Sequence, residues 1–156
     1  MKRFVVMLLL ACLLFPAGLA ALDGKKALYV GGTITAKIPE NTEGRLNTND
    51  ETTLIFIADK TGVKAELPYA KIDSFEYGQK ASHRIKTALF LSPWTLFSKK
   101  RRHYLSLMWK GEGDKTEGVV LELGKDILRS TVMVLEARTG KKVEFQDEDA
   151  KKNFAK

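Results

Sequence analysis

The sequence has a single cysteine, Cys12, and only two histidines among its 156 residues. One cysteine cannot form a disulfide within the chain, so the fold must be stabilised by packing and hydrogen bonds. His83 and His103 lie far apart in sequence and lack the close spacing of paired metal ligands such as His-x-x-x-His. The sequence therefore predicts neither a disulfide framework nor a metal site.

Catalytic motifs are also missing. Ser106, like the other serines near a histidine in sequence, is not in a nucleophile elbow of the Gly-x-Ser-x-Gly type. Gly111-Glu112-Gly113 is not followed by the Gly-Lys-Ser/Thr of a phosphate-binding loop. Acidic pairs such as Glu112 and Asp114, or Asp147 to Asp149, lie in a turn and near the C-terminus, where we expect solvated side chains rather than a catalytic cleft. The sequence therefore predicts a protein that is not an enzyme and that uses no cofactor.

Acidic residues are in the minority, with 19 Asp and Glu against 26 Lys and Arg, and the formal net charge is +7. Lys2 and Arg3 supply two of these charges, so about +5 remains in the rest of the chain. A moderate basic excess suits anionic surfaces such as lipid headgroups, and it is too small to indicate nucleic acid by itself. We expect an anionic lipid surface or an envelope protein as the partner, and no nucleic acid.

Residues 1–20 have the pattern of a secretory signal peptide: a basic start, an uncharged apolar run and an exit of small residues, with cleavage expected after Ala20. The pattern predicts export to the periplasm or the cell exterior. An uncleaved anchor is one alternative, although the apolar run is shorter than the ~20 residues that span a bilayer comfortably. A lipoprotein is the other, because Leu9-Leu10-Ala11-Cys12 resembles a lipidation site.

The remaining chain contains short strand patterns separated by turn residues. In residues 104–109, Leu105, Leu107 and Trp109 alternate with other residues and so share one face of a strand. The total is six or seven strands in hairpin succession. The other strand patterns lie at 26–36, 43–47, 52–57, 63–67, 72–77 and 118–123. Gly31-Gly32 lies inside the first pattern and indicates a bulge or tight bend there.

The hydrophobic period changes after residue 125. Leu128, Val132 and Leu135 recur at i, i+4 and i+7, which predicts one stripe of an amphipathic helix. We expect Asp126 to cap its first turn and Gly140 to end it in the left-handed conformation.

Strands followed by one helix predict an α+β domain: a bent antiparallel sheet, or partly open barrel, of about six or seven strands closed by one C-terminal helix. We assign this domain to residues 21–146. Residues 147–156 are predicted to be a polar C-terminal tail.

Two stretches carry a family resemblance. Residues 67–75, Leu-Pro-Tyr-Ala-Lys-Ile-Asp-Ser-Phe, resemble a strand of bacterial pleckstrin-homology-like and GRAM-like domains. Residues 119–126 are similar to the last strand of those domains where it runs into the closing helix, and residues 135–142 resemble exported bacterial proteins that have no assigned activity. The resemblance implies a pleckstrin-homology-like fold over most of residues 26–145. It implies no particular ligand-binding residue.

The segment 84–103 combines an apolar run, residues 88–97, with the cations Lys99-Lys100-Arg101-Arg102. Ten residues are too few to cross a bilayer. An apolar stretch with a tryptophan beside four cations is, however, typical of contact with an anionic membrane surface. The predicted membrane or partner contact residues are Trp94, Phe97, Lys99, Lys100, Arg101 and Arg102. Two alternatives stay open: apolar residues of this segment, such as Leu89 and Phe90, cover the sheet or fill the core, or the segment binds a protein.

The function hypothesis is an exported, non-enzymatic binding module that contacts an anionic membrane or a protein partner through residues 84–103. One alternative is a small exported enzyme, which would need a concave site that gathers several titratable groups. Another is a structural envelope protein that associates with itself through an open sheet edge.

Overall fold

In a computed structural model, described over residues 24–79 and 102–155, the chain forms one curled sheet with two helices. The eight described strands are β1 (Lys25–Gly32), β2 (Thr42–Asn47), β3 (Thr53–Ala58), β4 (Lys64–Pro68), β5 (Ile72–Gly78), β6 (His103–Lys110), β7 (Thr116–Leu123) and β8 (Glu144–Phe145). The helices are α1 (Lys125–Thr139) and α2 (Glu148–Ala155). The predicted α+β class is confirmed.

The strand order across the sheet is β4-β3-β2-β1-β7-β6-β5-β8. The first seven strands pair antiparallel with their neighbours, as expected for hairpin succession. The curl makes the sheet a half-barrel, in which pairing of β1 with β7 joins the β1–β4 half to the β5–β7 half.

The predicted count of six or seven strands is wrong, because β8 adds an eighth and makes the sheet mixed by pairing parallel to β5. A strand of two residues is too short to leave an alternation in the sequence. The prediction of a single helix is also wrong. Helix α2 lies in the segment predicted to be a polar tail, where Ala150 is buried and the Phe154 ring contacts the rings of Tyr77 and Phe145.

Helix α1 covers the concave face of the sheet with the predicted stripe. Leu128, Val132 and Leu135 are all buried in the main core. The C-terminal prediction is confirmed, since Gly140 has a φ of 69° and donates its backbone N–H to the carbonyl of Glu136. The predicted cap at Asp126 is wrong: Gly124 holds the N-cap position, and Asp126 lies inside the first turn.

The core lies between α1 and the concave face, and the faces predicted from alternation are confirmed. Leu105, Leu107 and Trp109 of β6 all belong to the core, as do Leu121 and Leu123 of β7. The glycine pair also behaves as predicted, because the β1–β7 register shifts by a bulge between Tyr29 and Gly31. The first strand nevertheless ends at Gly32, and Thr33–Ala36 form a 3-10 turn instead of continuing it.

Candidate functional site

Four neighbouring strands place their ends beside one another at one end of the sheet. The register pairs Ala27 near the start of β1 with Leu123 at the end of β7, and Leu123 in turn with His103 at the start of β6. Gly78 at the end of β5 pairs with Tyr104. We call this the insert end, because the segment 80–101 leaves the described chain here after Gln79 and rejoins it at Arg102. Residues 1–23 join it here as well.

An open groove of about 800 Å³ lies at the insert end. Its basic lining residues are Lys25 and Lys26, which begin β1, and Arg102, which precedes β6. Its acidic lining residues are Glu43, Asp59, Glu122 and Asp126. The groove therefore brings together cations from two parts of the chain that are far apart in sequence.

Arg102 is held against the sheet by Glu122 of β7. Its guanidinium Nη1 donates to Oε2 of Glu122 at 2.6 Å. This hydrogen bond and the charge of the Glu122 carboxylate raise the pKa of Arg102. Both side chains remain partly exposed, so the pair lies in the groove wall and fixes the point at which the cationic run Lys99–Arg102 enters β6.

His103 turns away from the groove toward a second, smaller cleft of about 470 Å³ that it lines with Lys125, Arg129 and Phe154. Its Nδ1 is 2.7 Å from the hydroxyl oxygen of Tyr77. Burial lowers the pKa of His103, and the ammonium of Lys125 lowers it further. The neutral imidazole is therefore favoured, and its Nδ1 can accept the hydrogen bond that the Tyr77 hydroxyl donates.

Of the predicted contact residues, the structure describes Arg102 alone. The other five lie outside the described residues: Trp94, Phe97, Lys99, Lys100 and Arg101. Arg102, the last cation of the basic run, lies in the wall of the groove.

Lys25 and Lys26 are groove residues that the sequence reasoning missed. They lie shortly after the predicted leader, which ends at Ala20, and nothing near them in sequence marks a site. The missing information was strand order: only pairing of β1 with β7, and of β7 with β6, places residues 25–26 beside residue 102.

The described chain thus defines a single α+β domain with a curled, mixed sheet and a charged groove at one end. Neither of its two helices is long and apolar enough to cross a bilayer. No protein-family model matches the sequence, and a search of curated proteins finds no match.

Proposed function

We propose that this protein is an exported, non-enzymatic binding module with a pleckstrin-homology-like fold, and that its insert end docks on an anionic membrane surface. The observation that carries the proposal is the register at the insert end. It brings Lys25 and Lys26 to the same groove as Arg102, the last arginine of the apolar and basic segment 84–103.

The order of the first seven strands supports the fold part of the proposal. They form a continuous antiparallel succession, β4-β3-β2-β1-β7-β6-β5, and α1 follows β7 directly and covers the concave face. This is the arrangement expected of a bent sheet closed by a helix.

The cationic run that adjoins the groove in sequence supports the membrane part, although the groove lining itself also contains four acidic residues. Lys26 is exposed and lines the groove. Lys99, Lys100 and Arg101 directly precede Arg102 in sequence, so their attachment point is the groove wall. Each cation close to an anionic bilayer contributes roughly 1 kcal/mol, and Trp94 and Phe97 would add apolar contact at the headgroup level.

Vesicle flotation tests the proposal, using the protein as purified from an exporting host. We expect it to float with vesicles that contain an anionic phospholipid and to stay at the bottom with vesicles of phosphatidylcholine alone. Replacing Lys99, Lys100 and Arg101 by alanine removes three cations, or roughly 3 kcal/mol, and should weaken binding about a hundredfold. Arg102 is kept in this variant because its loss would leave the Glu122 carboxylate without its partner.

A matched control carries alanine at Lys37, Lys110 and Lys115. These exposed lysines lie toward the opposite ends of the same strands, and their removal changes the net charge by the same amount. The control should bind nearly as well as the parent. Equal loss in both triple variants would mean that only net charge matters, and failure of the parent to float would end the membrane proposal.

A further inference from the structure

Strand β4 is an edge of the sheet. It stands at one end of the strand order, and among the described residues it pairs with β3 alone. The side chains of Val63, Lys64 and Glu66 along this edge are exposed. For Val63, a large apolar residue, the exposed fraction is 37%. The outer side of β4 is therefore accessible to a further strand.

The backbone groups on this outer side belong to alternate residues of β4. Val63 accepts a hydrogen bond from the N–H of Ala58, and Tyr69 donates to the carbonyl of the residue that precedes β3, each at 2.9 Å. Both residues thus bond toward β3, and in an antiparallel ladder every second residue between them does the same. Lys64 and Glu66 therefore direct their N–H and C=O groups outward.

The side chains of the same two residues carry opposite charges. Ala65 and Leu67 pack toward the main core, so Lys64 and Glu66 lie on the opposite, convex face of the strand. Pro68 has no N–H and ends the row of outward donors. Charges on an edge strand usually discourage pairing between edges. Here their alternation in sign makes the edge complementary to itself.

We propose that β4 pairs antiparallel with β4 of a second copy of this chain, about a two-fold axis at Ala65. Lys64 of each copy then lies opposite Glu66 of the other, in a hydrogen-bonded pair of opposite charges. The exposed Val63 lies opposite Leu67 of the second copy. Because a two-fold interface uses the same surface of both copies, each of these contacts occurs twice.

The charges on the edge select this register over its neighbours. A slide by two residues is the smallest that keeps the outward backbone groups facing one another. In one direction it places Lys64 opposite Lys64 of the second copy, and in the other it places Glu66 opposite Glu66. Like charges directly opposite are destabilising. This self-complementarity favours a second copy of the chain over an extended peptide of another protein.

Exchange of the two charges tests the proposal, with the protein purified from an exporting host and no lipid present. Lys64→Glu lowers the net charge and Glu66→Lys raises it, yet each places like charges opposite one another. Each should raise the dimer dissociation constant about tenfold or more, measured by sedimentation velocity from roughly 1 µM to 1 mM. The double variant Lys64→Glu/Glu66→Lys restores opposite charges and should dimerise like the parent.

Lys151→Glu is the matched control, because Lys151 is an exposed residue of α2, and it should also dimerise like the parent. The proposal is overturned by a parent that stays monomeric over this range. A double variant that dimerises no better than the single variants would overturn it as well.

Disulfide formation gives a second readout without a change of charge. In a Cys12→Ser background, Ala65→Cys places two thiols across the axis in a non-hydrogen-bonded pair, whose Cα atoms lie ~4.5 Å apart and can be bridged. In the control, Val63→Cys, the two thiols are roughly 13 Å apart along the strands. We expect a disulfide-linked dimer for Ala65→Cys under mild oxidation and little for Val63→Cys, and equal amounts would contradict the register.

Thermal unfolding is recorded first for every variant, so that loss of the dimer is not confused with loss of the fold. Both readouts are made without vesicles. Their outcome is therefore independent of the flotation result, and either proposal can fail while the other stands.

Discussion

At the scale of single residues, His103 shows how a polar side chain is accommodated where sheet, α1 and α2 meet. Its imidazole accepts a hydrogen bond from Tyr77, whose ring is fully buried and also contacts Phe145 and Phe154. Nothing in the sequence indicates this pair, because its members belong to strands separated by the long insert. Only the register of β5 against β6 brings them together.

The lowered pKa of His103 makes the free energy of unfolding depend on pH. The folded state binds fewer protons near this group than the unfolded state does, so stability rises with pH in this range. The contribution is present above the unfolded pKa of about 6.5 and is lost as the pH falls toward the folded pKa. Urea unfolding between pH 7 and pH 5 should therefore show a smaller decline for His103→Gln than for the parent. His83 is present in both proteins, so parallel pH profiles would contradict the assignment to His103.

At the scale of elements, hydrophobic period predicted long segments well and short ones poorly. Strands β6 and β7 and helix α1 each bury the face that alternation or the i, i+4 stripe indicates. Strand β8 has two residues, which are too few to show an alternation. Helix α2 has only Ala150 and Phe154 on its apolar side, and its mostly polar sequence was therefore predicted to be a tail. The i, i+4 spacing of those two residues was the one signal available for α2.

The cap of α1 shows a different limit of sequence reasoning. Asp126 is a favourable capping residue by type, yet β7 runs to Leu123 and the helix starts at Lys125. A direct turn from strand to helix leaves Gly124 as the N-cap, and pairing of the preceding strand decides the boundary. Asp126 in the first turn still places its negative charge near the positive end of the helix dipole.

The free energy of unfolding should depend strongly on the side chains of the buried face of α1 and weakly on those of its exposed face. Leu135 is fully buried against the sheet, whereas Met133, two residues earlier, is largely exposed. Leu135→Ala should lower the free energy of unfolding by about 2–5 kcal/mol, because it removes core contacts and leaves a cavity. Met133→Ala should change it by less than about 0.5 kcal/mol. Chemical denaturation measures both, and a similar cost for the two variants would contradict the packing of α1 described above.

At the scale of the whole molecule, helix α1 ties the two halves of the half-barrel together at its C-terminal end. Arg138 donates from Nη1 to the backbone carbonyl of Asp50, between β2 and β3, at 2.7 Å. Lys141 donates from Nζ to the carbonyl of Ile72, at the start of β5, at 2.6 Å. One short stretch of chain thus contacts both halves of the sheet, and neither contact could be inferred without knowing which loops the curl brings near the helix.

The two halves also meet directly where β1 bends against β7, and Gly32 is the residue that permits it. Its φ of 146° and ψ of −166° lie in a region that side chains with a Cβ avoid. A Cβ there would lie 2.2 Å from the carbonyl oxygen of Gly118 and 2.8 Å from the Cα of Val119. Both neighbours are backbone atoms of the adjacent strand, so they can move only if the strands separate.

Gly32→Ala should therefore lower the free energy of unfolding by about 2–5 kcal/mol, combining backbone strain with the collision between strands. Gly62→Ala is the matched control. Gly62 also has a positive φ, of 68°, but a Cβ there meets nothing within 4 Å. Only the strain of a left-handed residue then applies, about 1–2 kcal/mol. Urea denaturation of both variants separates the two contributions, and an equal cost would mean that close approach of β1 to β7 does not limit position 32.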